Sequence, residues 1–436
     1  MEEAYNMKPY KDMDLAELRA EQAKLEEILK AYKERDLNLL IARGIPSAEQ
    51  VEVSNEMLDT LTSQTVNISS DGVDCRNYGG DMTGIVEAKT LFSEYLGVGM
   101  DEIMVAGNSS MGIIGEILAH SMRKGVLGGS KPWSAYPKIK FLCPVPGYDR
   151  HFGFCEYFDI EMIPVPLGEN GPDMDIVEDL AAKDETIKGM WCVPKYSNPS
   201  GISYSDETIR RLANMKTAAG DFRLFYDNAY AVHYVYKMVE IINILDECKK
   251  AGNPNRVYMF GSTSKMTFPG GGVALFAASK ENIQHVIKGM SAMWTGWDKV
   301  NMLRHARFLK NKENIMRIMA KHAAILRPRF DIVINAIEKE LVPVGAGDCI
   351  RPDGGYFVMY RAPAGCAKKI FETCKENGVT VTTAGATHPY GKDPDDTYLR
   401  IAPSAASLAV LEEAMRVFCV VAKFVTINKR ISELAS

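Results

Sequence analysis

Between about residues 85 and 280, short apolar runs alternate with stretches of helical spacing. The runs are Ile103 to Ala106, Ile139 to Cys143, Glu161 to Val165, Met190 to Val193, Leu224 to Tyr226, Val257 to Phe260 and Val273 to Ala277. This alternation predicts an α/β architecture, a mostly parallel seven-stranded sheet sandwiched by helices. In such a sheet chemistry gathers beyond the carboxyl ends of the strands. Three polar segments follow a run directly: Pro194 to Asn198, Asp227, and Ser262 to Lys265.

The flanks read differently. From Met13 to Asp36 the positions Leu15, Leu18, Leu25, Ile28, Leu29 and Tyr32 recur at helical spacing, so an amphipathic helix opens the chain. Arg43 to Ser47, with Gly44 and Pro46, reads as a loop. After about Asn311 the pattern becomes a long helix (Met316, Ile318, Met319, His322, Ile325, Leu326, Phe330, Val333), short strands and a closing helix near Leu408 to Thr426. The expected division is an N-terminal segment (1–60) packing with a smaller α+β C-terminal domain (311–436), and a large domain between them (61–310).

Composition narrows the class. The 436 residues are 46% hydrophobic and 25% charged, which fits a globular protein with a sizeable core. A net charge of -5 gives no reason to expect nucleic acid or an anionic membrane surface as a partner. Nine cysteines without a Cys-x-x-Cys pair argue against a secreted disulfide framework. The acidic start, Met1 to Tyr5, is unlike a secretory signal, and no apolar run approaches the ~18 residues of a membrane span. A cytoplasmic location is expected. No metal site is expected either, because the one close pair, His151 and Cys155, has no second pair to complete it.

Lys265 gains meaning from three other segments: Asn198-Pro199-Ser200-Gly201, Asp227-Asn228-Ala229-Tyr230 and Leu399 to Ser404 around Arg400. They supply an amine for a Schiff base, a buried carboxylate, an amide and a guanidinium, the set that pyridoxal phosphate chemistry needs. In order and spacing they resemble the active-site segments of fold-type I pyridoxal phosphate enzymes, class I aminotransferases in particular. Twenty-nine positions separate Asn198 from Asp227, thirty-eight separate Asp227 from Lys265, and Arg400 lies 135 further on. Pro146 to His151, Gly107 to Ser110 and Arg76 to Gly80 resemble a divergent bacterial subgroup of aspartate aminotransferases. The resemblance runs from roughly residue 40 to 405.

The resemblance implies a role for each residue. Lys265 holds the cofactor as an imine and then carries a proton between substrate Cα and the cofactor; Asp227 pairs with the pyridine nitrogen, with His151 hydrogen-bonded to it. Asn198 and Tyr230 donate to the ring oxygen, and Tyr148 stacks on the ring. Asn108, Ser109, Ser110 and Ser262 meet the phosphate, as does Tyr78 from a neighbouring subunit of a homodimer. Arg400 binds the substrate α-carboxylate, with the Gly44 N–H beside it. Plainer alternatives stay open: a helix-start surface lysine for Lys265, helix N-caps for Asp227 and for Asn108 to Ser110, a core histidine for His151, a loop glycine for Gly44.

One position departs from the pattern. The better-known members carry an arginine eight residues after the lysine, where this chain has Val273 preceded by three glycines. The expected activity is transamination between L-aspartate and 2-oxoglutarate by a ping-pong route. Lys299, Arg304 and Arg76 are candidates for the cation that meets a side-chain carboxylate. A β-lyase or decarboxylase on the same scaffold, and a non-catalytic ligand-sensing relative, are the rivals.

Overall fold

A computed structural model describes residues 8–435. A helix, Leu15–Lys33, opens it, fixed by a capping box in which Asp14 accepts from the Glu17 N–H and Glu17 answers to the Asp14 N–H. It leads into a two-residue strand, β1 (Leu39–Leu40).

The large sheet takes eight strands: β2 (Ile103–Ala106), β3 (Lys140–Val145), β4 (Glu161–Gly168), β5 (Gly171–Pro172), β6 (Ile187–Cys192), β7 (Arg223–Asp227), β8 (Val257–Ser262) and β9 (Ala274–Ala277). Their order is β2-β9-β8-β7-β6-β3-β4-β5. The central pairs β4 to β3, β3 to β6, β6 to β7 and β7 to β8 are parallel, and β9 runs antiparallel to both β8 and β2. Seven strands match the seven apolar runs; β5 only closes a hairpin with the end of β4. Strands β2, β6, β7, β8 and β9 are buried at every residue, because separate hydrophobic clusters cover the two faces of the sheet.

Strand β6 begins three residues before its apolar run, at Ile187-Lys188-Gly189. Lys188 is 2% exposed and tolerated there because its Nζ donates to Asp221 Oδ1 at 2.7 Å, while Asp221 Oδ2 accepts from Trp133 Nε1 at 2.8 Å. Gly189 is required by the neighbouring strand: a Cβ there would lie 2.5 Å from the Phe141 ring.

A third hydrophobic cluster joins the two ends of the chain. Helices Lys312–Glu340 and Leu408–Ala435 carry a core that also takes Leu18, Leu25 and Leu29 of the first helix. Three strands, β10 (Asp348–Cys349), β11 (Val358–Arg361) and β13 (Tyr398–Ile401), pair antiparallel, and β12 (Val379–Thr380) pairs in parallel with β1. The closing helix runs nine residues beyond the expected end at Thr426, because Ile427 still packs into this core.

Asp221→Ala would leave the buried Lys188 ammonium and the Trp133 N–H without their acceptor. We expect a loss of about 3–5 kcal/mol in guanidinium unfolding; a loss near zero would mean that Lys188 reaches water.

Candidate active site

Five loops meet at the carboxyl edge of the parallel strands. Gly107 to Ser110 follow β2, Tyr148 follows β3, Asn198 follows β6, Asp227 ends β7, and Ser262 to Lys265 end β8 and turn away from it.

Asp227 is 3% exposed. Its Oδ2 accepts from His151 Nε2 at 3.0 Å, and the His151 ring stacks on Trp191 with centroids 4.3 Å apart and planes 7° from parallel. An ionised carboxylate has only acceptors to offer, so Nε2 carries the proton in this bond. Oδ1 is fully buried and has no partner among the described residues. An acceptor left so is costly unless a donor completes it.

Lys265 lies in a tight turn. Thr263 anchors it: its carbonyl accepts from the Met266 and Thr267 N–H groups, and its hydroxyl meets His305 Nε2 at 3.1 Å and accepts from the Val273 N–H at 2.9 Å. The Nζ sits 5.1 Å from the centroid of Tyr230 and 5.7 Å from that of Tyr356. Burial holds the amine below the usual lysine range, and the charge of Asp227 opposes part of that shift. Tyr356 bridges this turn to the N-terminal segment, accepting from Gln50 Nε2 at 2.9 Å and donating to the Lys265 carbonyl at 3.3 Å. Tyr230 is buried, its ring centroid 6.1 Å from that of Tyr356 and the planes 26° apart.

Tyr148 packs edge-on against His151 at 5.0 Å. Burial, with Asp227 and Asp149 adding, pushes its hydroxyl up to about 12. Asn198 is buried, and its Oδ1 accepts from Arg400 Nη1 at 3.0 Å, which leaves its amide N–H groups to face elsewhere. Arg400, on β13, also donates from Nη1 to Asp149 at 2.8 Å and from Nε to Thr382 Oγ1 at 3.3 Å, with its guanidinium 4.7 Å from the Phe357 centroid. Gly44 lies against the same ring, where a Cβ would stand 2.2 Å from Phe357.

Ser109 caps the helix Ser110–Lys124 by accepting from the Gly112 N–H. Its free N–H groups and the helix dipole favour an anion there. The Asn108 carbonyl accepts from Ser264 at 3.4 Å, and a Cβ at Gly272 would stand 3.0 Å from the same carbonyl. Gly272 thus lets the chain entering β9 pass close to this loop. Val273 itself is 1% exposed and belongs to the core.

Other expected residues are placed differently. Tyr78 is 82% exposed. Lys299 is buried and donates to the Asn77 and Gly79 carbonyls at 2.7 and 2.8 Å, so it fastens the loop that carries Tyr78. Arg76 forks onto Asp74 at 2.9 and 2.8 Å, and Arg304 is half-buried on the helix Lys299–Leu309. Asp149, Thr382, Phe357, Tyr356, Gln50 and Trp191 join the cluster without having been singled out by the sequence. Only Asp149 carried a signal, an acid next to the expected ring-stacking tyrosine.

A sheet of this order, a half-buried lysine at its carboxyl edge and a buried carboxylate beside it define a fold-type I transaminase. The family model for aspartate amino-transferase matches residues 13–433, and the chain belongs to that family. An aspartate aminotransferase of Corynebacterium glutamicum is 41% identical over 384 residues, 88% of this chain and 88% of that protein. The crystal structure of an aspartate transaminase from Corynebacterium glutamicum shares 37% identity and a TM-score of 0.94, covering 98% of this chain and 100% of that one. A crystal structure of LysN, the α-aminoadipate aminotransferase of Thermus thermophilus, shares the fold with a TM-score of 0.69 at 20% identity, over 92% of this chain and 95% of that one. This family works with pyridoxal 5'-phosphate. The site suits that group: Asp227 Oδ1 awaits a donor such as a pyridinium N–H, and an amine stands nearby.

Asp227→Asn removes the charge that supports the Lys265 ammonium, so the amine should lose its proton at still lower pH. Competitive acylation of the cofactor-free protein, read by mass spectrometry across pH, should show the Lys265 midpoint below that of the parent; a midpoint raised toward ordinary lysine would contradict the electrostatic account.

Proposed function

We propose that the protein moves the amino group of L-aspartate to 2-oxoglutarate, the two substrates using one site in turn. The observation that carries this reading is the buried, half-satisfied Asp227 beside Lys265, with Arg400 across the same cleft. Pyridoxal phosphate, when bound, supplies an aldehyde for the amino group and a ring that takes up the electrons released when Cα–H breaks.

In this reading each of these side chains has its own part. Asp227 keeps the pyridine nitrogen protonated through Oδ1, while His151 and Trp191 hold the carboxylate still. Lys265 would hold the cofactor through its amine and, when free and neutral, would take up the proton of substrate Cα and move it along the cleft. Its depressed basicity matters here, because an ammonium cannot accept a proton. Asn198 and Tyr230 donate to the ring oxygen, and Tyr148 covers the ring face. Asn108, Ser109, Ser110 and Ser262 receive the phosphate, and Arg400 grips the α-carboxylate with the Gly44 N–H near it.

Aspartate is favoured by the relative named for it. Lys299 and Arg76 are committed to other partners, so Arg304 is the member of that set we assign to the second carboxylate. We also propose a homodimer that takes Tyr78 from the neighbouring subunit. Exposed Val66, Ile68, Tyr78, Met293 and Trp294 support it, since such apolar groups mark contact surfaces. The division at residues 60 and 310 belongs to the same reading; the hydrophobic clusters follow it only in outline, since Ile315, Ile318 and Met319 pack with the sheet while Val193, Tyr196, Tyr230 and Val235 pack with the C-terminal helices. Nine free thiols support a cytoplasmic location.

Aspartate added to the holoprotein without an oxo acid should bleach the visible band of the pyridoxal form, and 2-oxoglutarate should restore it. Lys265→Ala should abolish both changes. A band that aspartate leaves intact while another amino acid bleaches it would keep the transaminase and discard aspartate. Arg400→Lys keeps the charge but loses the fork, and should raise KM for aspartate about 10²-fold, the worth of ~2–3 kcal/mol; an unchanged KM would move the carboxylate site elsewhere.

A further inference from the structure

The guanidinium of Arg400 has more claims on it than substrate binding alone requires. Of the five N–H groups of an arginine, the Nε one goes to Thr382 and the two on Nη1 go to Asn198 and Asp149. A carboxylate gripped by a fork takes two N–H groups along one edge, either Nη1 with Nη2 or Nε with Nη2. Each edge carries at least one group already in use.

The three partners are not equal in what they lose by letting go. Asn198 and Thr382 are neutral and buried, 3% and 9% exposed, with no water to replace a lost bond. Asp149 is the only anion among them, and its side chain is 34% exposed in the first turn of the helix Asp149–Tyr157. Turned outward, it regains hydration, and the helix N-terminus still favours its charge. Exchanging it for an incoming carboxylate keeps one negative charge on the guanidinium throughout.

We propose that Asp149 is a built-in competitor for the substrate: its carboxylate holds Arg400 in register beside Asn198 and is displaced when the α-carboxylate of the amino acid or oxo acid arrives. Asp149 thereby sets how tightly any carboxylate is held and ensures that Arg400 is never a bare buried cation. The proposal rests on the assignment of Arg400 as the α-carboxylate clamp, and the test separates the two.

The test uses the holoprotein and propionate, a carboxylate with no amino group to react, together with steady-state kinetics on aspartate. Asp149→Asn removes the competing charge. Propionate should then bind about tenfold more tightly, on the scale of one charge-assisted hydrogen bond, and KM for aspartate should fall with a smaller change in kcat. Propionate should also raise the melting temperature of Asp149→Asn more than that of the parent, a readout that requires the variant to be folded. Asp149→Glu, which can keep an anion on Arg400, should stay nearer the parent. Weaker or unchanged propionate binding in Asp149→Asn, with Arg400→Leu abolishing it, would overturn the proposal and leave the clamp standing. Unchanged binding in Arg400→Leu would overturn the clamp and the proposal with it.

Discussion

A carboxylate with water on neither oxygen is among the more expensive groups a protein can bury, and the site is arranged around the one at Asp227. Half of its demand is met internally by His151, whose ring is trapped against Trp191. The other oxygen, Oδ1, is buried with no partner among the described residues. Everything else about the site can be understood as locating groups relative to that oxygen: β7 ends at it, β6 and β8 on either side deliver Asn198 and Lys265, and the loop after β3 brings Tyr148 and His151. The parallel arrangement matters because it brings these carboxyl ends to one edge.

The lysine needs the opposite treatment. An amine that must be free of its proton gains from apolar walls, and Tyr230 and Tyr356 supply them on a turn braced by Thr263, Thr267 and His305. Burial lowers the basicity of Lys265, and the charge of Asp227 opposes part of that change. Because Tyr356 is held by Gln50 and Arg400 rests over Phe357, one wall and the proposed clamp come from the C-terminal part of the chain, while Tyr230, Asp227 and Lys265 come from the ends of the sheet strands.

Much of this was legible in the sequence. The seven apolar runs marked the principal strands because a sheet covered on both faces needs uninterrupted apolar residues. The start of β6 was hidden by Lys188, whose partner Asp221 is 33 residues away and invisible to a local pattern. The motifs around Asn198, Asp227, Lys265 and Arg400 located the cleft, since their residue types are fixed by chemistry rather than packing. Asp149 and Thr382 were missed for the converse reason: an acid at the start of a helix and a threonine in a loop are ordinary, and only their approach to Arg400 gives them meaning. Val273 stands where the resemblance led one to expect an arginine; it is part of the core, and Gly272 before it lets the chain pass close to the loop at Asn108.

The pairing of β1 with β12, and of the first helix with the last, bears on how the chain is made. Leu39 emerges from the ribosome some 340 residues before Val379, its partner, and Arg400, the proposed carboxylate clamp, is made later still. The sheet that carries the lysine is complete by Ala277 and needs no such wait. During synthesis the amphipathic first helix therefore presents Leu18, Leu25 and Leu29 to solvent or to chaperones until the C-terminal helix arrives. The nascent chain thus carries Asp227 and Lys265 on a finished sheet before Arg400, the proposed substrate clamp, exists.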